Sequence, residues 1–142
     1  MERRDWNLLV LAAAGGKTLT PVQFQKSLFL LGKNLPEEMI GEGYYRFEPY
    51  NYGPFDSSVY SDATSLVSSE LVLLSDQGRW KQFAATAAGI DQAKELEKAL
   101  PPETAEYVRK VVGWVRGQSF ASLVQAIYKH YPEMKANSVF KD

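Results

Sequence analysis

The stretch LVSSELVLLSDQGRWKQFAATAAG, residues 66–89, decides the fold. Leu66 and Val67 close a helical face, residues 71–74 form a short apolar run, and Asp76-Gln77-Gly78 reads as a turn. Residues 80–85 then return as the second strand of a hairpin. Thr86 caps a new helix that carries Ile90, Ala93, Leu96 and Leu100 on one face. Helix, strand, tight hairpin, strand and helix in this order are the second half of a winged helix. Gly78-Arg79-Trp80-Lys81 would form the tip of the wing.

Upstream, the first half follows. Trp6, Leu8, Leu9, Val10 and Leu11 make a short buried helix that Gly15-Gly16 terminates. Thr20-Pro21-Val22-Gln23 combines a cap, a proline suited to the first helical position and a capping-box glutamine. Phe24, Leu28 and Leu31 follow at i, i+4 and i+7, with Lys26 and Lys33 off that stripe. Asp56 or Ser57 caps a third helix bearing Val59, Ala63, Leu66 and Val67. The expectation is one domain over residues 1–142, α+β and mainly helical. It has a winged-helix-like core over 1–100, one β-hairpin, and two additional C-terminal helices over 101–142.

Those last helices start after Pro101-Pro102. Tyr107, Val108, Val111, Val112 and Val115 line the first, which Gly117 closes. Ser119 opens the second, with Phe120, Leu123, Val124, Ile127 and Tyr128 as its expected buried stripe, and Pro132 stops it. Two readings fit so much apolar surface: packing on the core, or a homodimer formed through these helices.

The connection over residues 32–55 is longer than a simple winged helix needs and reads as an insertion. It contains Phe47, Tyr50, Tyr52 and Phe55 among Pro49, Gly53 and Pro54. The prolines argue against a regular central strand, and Gly53-Pro54 forces a turn. Rings held on a stiff backbone either cover the third helix or present a platform to a partner, since rigid aromatics lose little entropy on binding. Tyr50, Tyr52, Phe55 and Tyr60 are the candidate partner-binding residues.

Composition narrows the chemistry. With 45% apolar and 23% charged residues in 142, the chain is globular rather than disordered. It has no cysteine, which excludes disulfides, thiolate catalysis and sulfur-held zinc. The apolar run at residues 8–14 follows Asp5 and is shorter than the roughly 20 residues that span a bilayer, so neither a signal peptide nor a membrane contact is expected. A cytoplasmic location suits both observations.

No catalytic set emerges. His130 is the single histidine and sits near a helix end, where it can interact with the terminal carbonyls. Glu37-Glu38 and the Glu95, Glu97 pair lack metal-ligand spacing with a histidine, and Gly15-Gly16-Lys17-Thr18 lacks the rest of a phosphate loop. No catalytic residue, metal or cofactor is expected. A net charge of −1 gives no general pull on nucleic acid. The third helix carries Asp56, Asp62 and Glu70 and no cation, which disfavours DNA reading. In the alternative of a DNA-binding regulator, Arg79, Trp80 and Lys81 on the wing would make the contacts.

Two motifs add a family likeness. Phe24-Gln25-Lys26-Ser27-Leu28-Phe29-Leu30, and residues 47–60 with their Tyr52-Gly53-Pro54 and Val59-Tyr60 runs, resemble the Panacea antitoxin family, including SocA-type and phage-associated members. Residues 83–89 are similar to its threonine–glycine helix entry. The likeness covers residues 18–100. Tyr50 stands where relatives often carry tryptophan, and Phe55 where they carry a smaller aliphatic residue. The resemblance implies a non-enzymatic module that binds a toxin or another protein, in some members a client presented to a protease. An assembly subunit of a larger complex is a further alternative.

Overall fold

Helix α2 (Pro21–Asn34) lies at the centre, packed against α1 (Arg3–Ala13), α6 (Pro102–Gly117) and strand β2 (Gly53–Phe55). The computed structural model describes residues 1–76, 78 and 80–141. Gln77 of the expected turn, Arg79 of the expected wing tip and the terminal Asp142 lie outside the described residues. Among the described residues the chain is α+β and mainly helical, with seven α-helices and two antiparallel two-stranded sheets. The remaining elements are α3 (Glu37–Ile40), β1 (Glu48–Tyr50), α4 (Ser58–Ser68), β3 (Val72–Ser75), β4 (Gln82–Ala85), α5 (Ala87–Glu97), α7 (Phe120–His130) and a 3₁₀ turn (Pro132–Lys135). No described helix is long and apolar enough to cross a membrane.

The capping box at α2 forms as expected. Gln23 N donates to Thr20 Oγ1 at 3.3 Å, and Thr20 N donates to Gln23 Oε1 at 2.9 Å. The apolar stripe of Phe24, Leu28 and Leu31 is buried as expected, and burial extends beyond it. Residues 24–29 are all buried, and successive helical residues point about 100° apart, so this part of α2 is covered all round while its last residues, 32–34, stay exposed. Lys26, placed off the stripe by periodicity, is only 3% exposed. The inserted hairpin supplies the cover that the period alone does not reveal.

Where a loop was expected, residues 48–55 form a hairpin with register Glu48↔Phe55, Pro49↔Pro54 and Tyr50↔Gly53. Antiparallel partners alternate between bonded and non-bonded pairs, so two opposed prolines occupy a pair that needs no N–H. Strands β3 and β4 pair Val72↔Ala85 through Ser75↔Gln82. Leu19 adds a further bridge to them, exchanging both backbone bonds with Phe83 at 2.8 and 2.9 Å. No periodicity marks a one-residue bridge.

Helix α4 ends with Leu71 N donating to Leu66 O at 3.0 Å and Glu70 N to Val67 O at 2.9 Å. This is the Schellman arrangement, with Glu70 at φ 63° where glycine is usual. Glu70→Gly is expected to raise stability by about 1 kcal/mol, the left-handed penalty of a residue with a Cβ, read as a higher urea midpoint.

The C-terminal helices pack on the core. Val108, Val111, Val112, Val115, Leu123, Val124 and Ile127 are all buried within the chain, so the stripes that motivated a homodimer are already covered. Phe120 departs from its expected stripe: it is 47% exposed, at the very start of α7.

Candidate partner-binding groove

The aromatic hairpin is held from below by α2. The Gln25 side chain treats Asp56 as a strand partner, with Nε2 donating to Asp56 O and Asp56 N donating to Oε1, both at 3.0 Å. The Asp56 carboxylate accepts from Arg46 N at 2.7 Å and from Ser58 N at 2.8 Å, which closes the hairpin base and starts α4. The hairpin turns through Asn51 and Tyr52 into Gly53, whose φ of 104° suits glycine. A Cβ there would stand 3.3 Å from Tyr128 Cε1 and 3.5 Å from Lys26 Nζ. From the other side the C-terminal segment ties the same hairpin, with Val139 N donating to Asn51 O at 2.9 Å and Asn137 Nδ2 to Pro49 O at 3.2 Å.

Two of the three acids counted against DNA binding are therefore engaged inside the fold. Asp56 caps, and Asp62 pairs with Arg3 at 2.9 Å while accepting from Tyr45 Oη at 2.6 Å. Tyr45 Oη in turn accepts from the buried Asn7 Nδ2 at 3.0 Å. Burial and the hydrogen bond to Asp62 push the Tyr45 hydroxyl well above the usual phenol range.

The rings join surface to core. Tyr50 stacks on Phe55 (centroids 4.9 Å, planes 26° apart), Phe55 meets Tyr60 at 5.9 Å, Tyr60 stacks on Phe83 at 5.8 Å, and Phe83 meets Phe24 at 5.1 Å. A second series runs from Tyr52 to Phe120 at 5.1 Å and on to Phe140 at 6.0 Å. Tyr50 is 53% exposed and Tyr52 40%, whereas Phe55 and Tyr60 are half-buried. Phe55 packs against Tyr60 of α4, while Tyr50 and Tyr52, on either side of the turn, face out. Each aromatic contact of this kind adds rigidity as well as about 0.5–1.5 kcal/mol.

Between these rings, the start of α2 and the start of α7 lies a groove of about 720 Å³. All four sequence candidates, Tyr50, Tyr52, Phe55 and Tyr60, line it, and so does Trp80, between β3 and β4. The wing residue expected to touch DNA therefore stands at the rim of the aromatic site. Lys81 is exposed and lies outside the groove lining. His130 is exposed at the last turn of α7.

Sequence reasoning missed Phe120 and Lys26 as groove residues. Phe120 shares a helical face with the buried Leu123 and Val124, but at the first turn of α7 its ring meets Tyr52 and Phe140 and stays half exposed. Lys26 is the sole charged residue among the described residues that line the groove. Its ammonium forms no ion pair or hydrogen bond with another described residue, and burial pulls its pKa down to about 7. Burial likewise raises the Tyr60 hydroxyl. No family model, no curated protein and no solved structure matches this chain.

Proposed function

We propose that this protein is a non-enzymatic protein-binding module of the kind the Panacea antitoxins represent, gripping a toxin or another polypeptide in the aromatic groove. On this reading α1, the Leu19 bridge, α2, α4 and the β3–β4 hairpin are a winged-helix framework, and β1–β2 is the device inserted into it. The observation that carries the proposal is the exposure of Tyr50 and Tyr52 on a hairpin whose other rings are locked into the core. Such a surface is preorganised: its aromatic area is presented before a partner arrives, so little ordering opposes association. The groove volume lies within the range of ligand-sized sites, and six of its 17 described lining residues are aromatic.

The DNA-binding alternative loses its main contact element on this reading. The outward positions of α4 are Ser61, Thr64 and Ser68, which bring hydroxyls but no cation. Counterion release would then rest on the wing alone.

The double variant Tyr50→Ala/Tyr52→Ala tests the proposal. Both rings are exposed, so the variant is expected to keep its fold, with a melting temperature within a few degrees of wild type. Capture of partner by the tagged protein in extracts of its host is expected to fall at least tenfold. Equal capture by a folded double variant would remove the groove from the binding surface.

A further inference from the structure

Lys26 is the feature of the groove that an aromatic platform does not account for. A charged amine lies at the floor, 3.5 Å from the position a Cβ would take on Gly53, open only to the groove and with no partner among the described residues to replace its lost hydration. The first turn of α2 opens on the same groove through Thr20, Pro21 and Val22. The partial positive end of that helix therefore adds to the lysine. No acidic side chain among the described residues lines the groove to offset either.

These observations specify an anion of low charge with apolar neighbours. A lysine beside a helix N-terminus can meet a phosphate, but a phosphate dianion leaves one charge unmatched here, because Lys26 is the sole cation among the described residues that line the groove. One carboxylate satisfies one ammonium. Lys26 is 3% exposed, so it is reached by the tip of a slender side chain rather than by main chain.

We propose that the recognised element is a glutamate or aspartate side chain flanked by aromatic or aliphatic residues on an extended peptide, its carboxylate seated on Lys26 Nζ and its neighbours packed on Tyr50, Tyr52 and Phe120. This rests on the reading that a polypeptide occupies the groove. It adds a chemical rule for which polypeptide: the partner segment is acidic at one position and apolar around it.

The test uses an array of randomised seven-residue peptides, acetylated at one end and tethered through an amide at the other, so that side chains are the sole carboxylates. Wild type, Lys26→Met, Lys26→Gln and Tyr50→Ala/Tyr52→Ala are each probed on it after thermal unfolding has verified the fold. Wild type is expected to retain peptides with Asp or Glu beside aromatic or aliphatic residues, and to lose at least tenfold in affinity when that acid becomes Asn or Gln. Both Lys26 variants are expected to bind without the acid preference, and the tyrosine variant to lose binding generally. Apolar peptides retained by wild type with no acid preference, or a preference unchanged in both Lys26 variants, would overturn the carboxylate rule while leaving the groove reading intact. No peptide retained by wild type would overturn both. In a parallel arm, 3-phenylpropanoate shifting the groove resonances of wild type while no peptide is retained would assign the groove to a small carboxylic acid and overturn the peptide source.

Discussion

Gly89→Ala is expected to unfold this protein, or to destabilise it by more than about 4 kcal/mol in chemical denaturation. Gly89 lies in the first turn of α5, directly against the backbone where α4 hands over to β3. An added Cβ would stand 2.0 Å from Leu71 O and 3.0 Å from Leu71 C. Neither atom can step aside cheaply. Leu71 O accepts from Thr86 N at 3.0 Å, Thr86 Oγ1 accepts from Gly89 N at 3.0 Å and donates to Glu70 O at 2.8 Å, and Leu71 N is bound to Leu66 O. Relieving the clash means moving the α5 start away from the α4–β3 junction and opening that set of bonds together. Typical domains hold only about 5–15 kcal/mol in total, so the change consumes a large share of the margin.

The same substitution at Gly113 is expected to have the opposite sign. Gly113 is an exposed position within α6, and a Cβ there meets nothing within 4 Å. Alanine is favoured over glycine in a helix interior by about 1 kcal/mol, so Gly113→Ala should raise the urea midpoint by that amount. The pair isolates contact from propensity: both variants add one methyl to a helical glycine, and only the neighbouring carbonyl differs. Gly89→Ala within 1 kcal/mol of wild type would mean that α5 does not seat against Leu71 as described.

Gly89 also illustrates how much of the fold is legible in the sequence. Thr86 as a cap with a glycine three residues on is visible as a helix entry, and the hairpin before it is visible from its turn and apolar runs. The capping box at Thr20, the proline boundary at Pro101-Pro102 and the valine series of α6 are visible for the same reason: local chemistry alone determines them. What does not show is anything decided by what lies across from a residue. Leu19 bridges Phe83 without a pattern of its own. Asp62 reads as a surface charge on a helix but is taken by Arg3 of α1 and by Tyr45 in the connection before β1.

The groove divides along the same line. Its aromatic hairpin stands out in the sequence because rings, prolines and glycine are crowded into ten residues. Its lysine does not. Periodicity assigns Lys26 to the polar side of α2, a correct inference for a helix with one buried face. The β1–β2 hairpin between α2 and α4 folds back over the other face and converts that polar side into the floor of the groove. Gln25 beside it is equally hidden, since only the folded hairpin brings the Asp56 backbone within 3.0 Å of its amide.

Stability is expected to rise with pH between about 7 and 9.5, and Lys26→Met is expected to abolish that rise. Burial pulls the folded-state pKa of Lys26 from 10.5 to about 7. Below pH 7 both states carry the proton and the folded protein bears the cost of a largely desolvated, unpaired ammonium. Between about 7 and 10.5 the unfolded chain binds a proton that the folded chain does not, so unfolding becomes less favourable as pH increases. At about 1.4 kcal/mol per pH unit, the gain by pH 9.5 is roughly 3 kcal/mol. Above pH 10 the sign reverses: Tyr44, Tyr45, Tyr60 and Tyr107 have raised folded-state pKa values, so the folded chain keeps phenol protons that the unfolded chain releases. Wild type should therefore be most stable near pH 9–10, well above its sequence pI of about 5.9. Methionine fills the lysine's channel with a chain of similar length and carries no charge, so the variant should gain several kcal/mol at pH 6, lose the slope between 7 and 9.5, and keep the alkaline decline. Urea denaturation of both proteins at half-unit pH intervals measures all three features. Parallel profiles for wild type and Lys26→Met would mean that the ammonium is solvated in the folded protein. A protein more stable without this lysine, and selective only with it, is what a binding residue placed against the interests of the fold predicts.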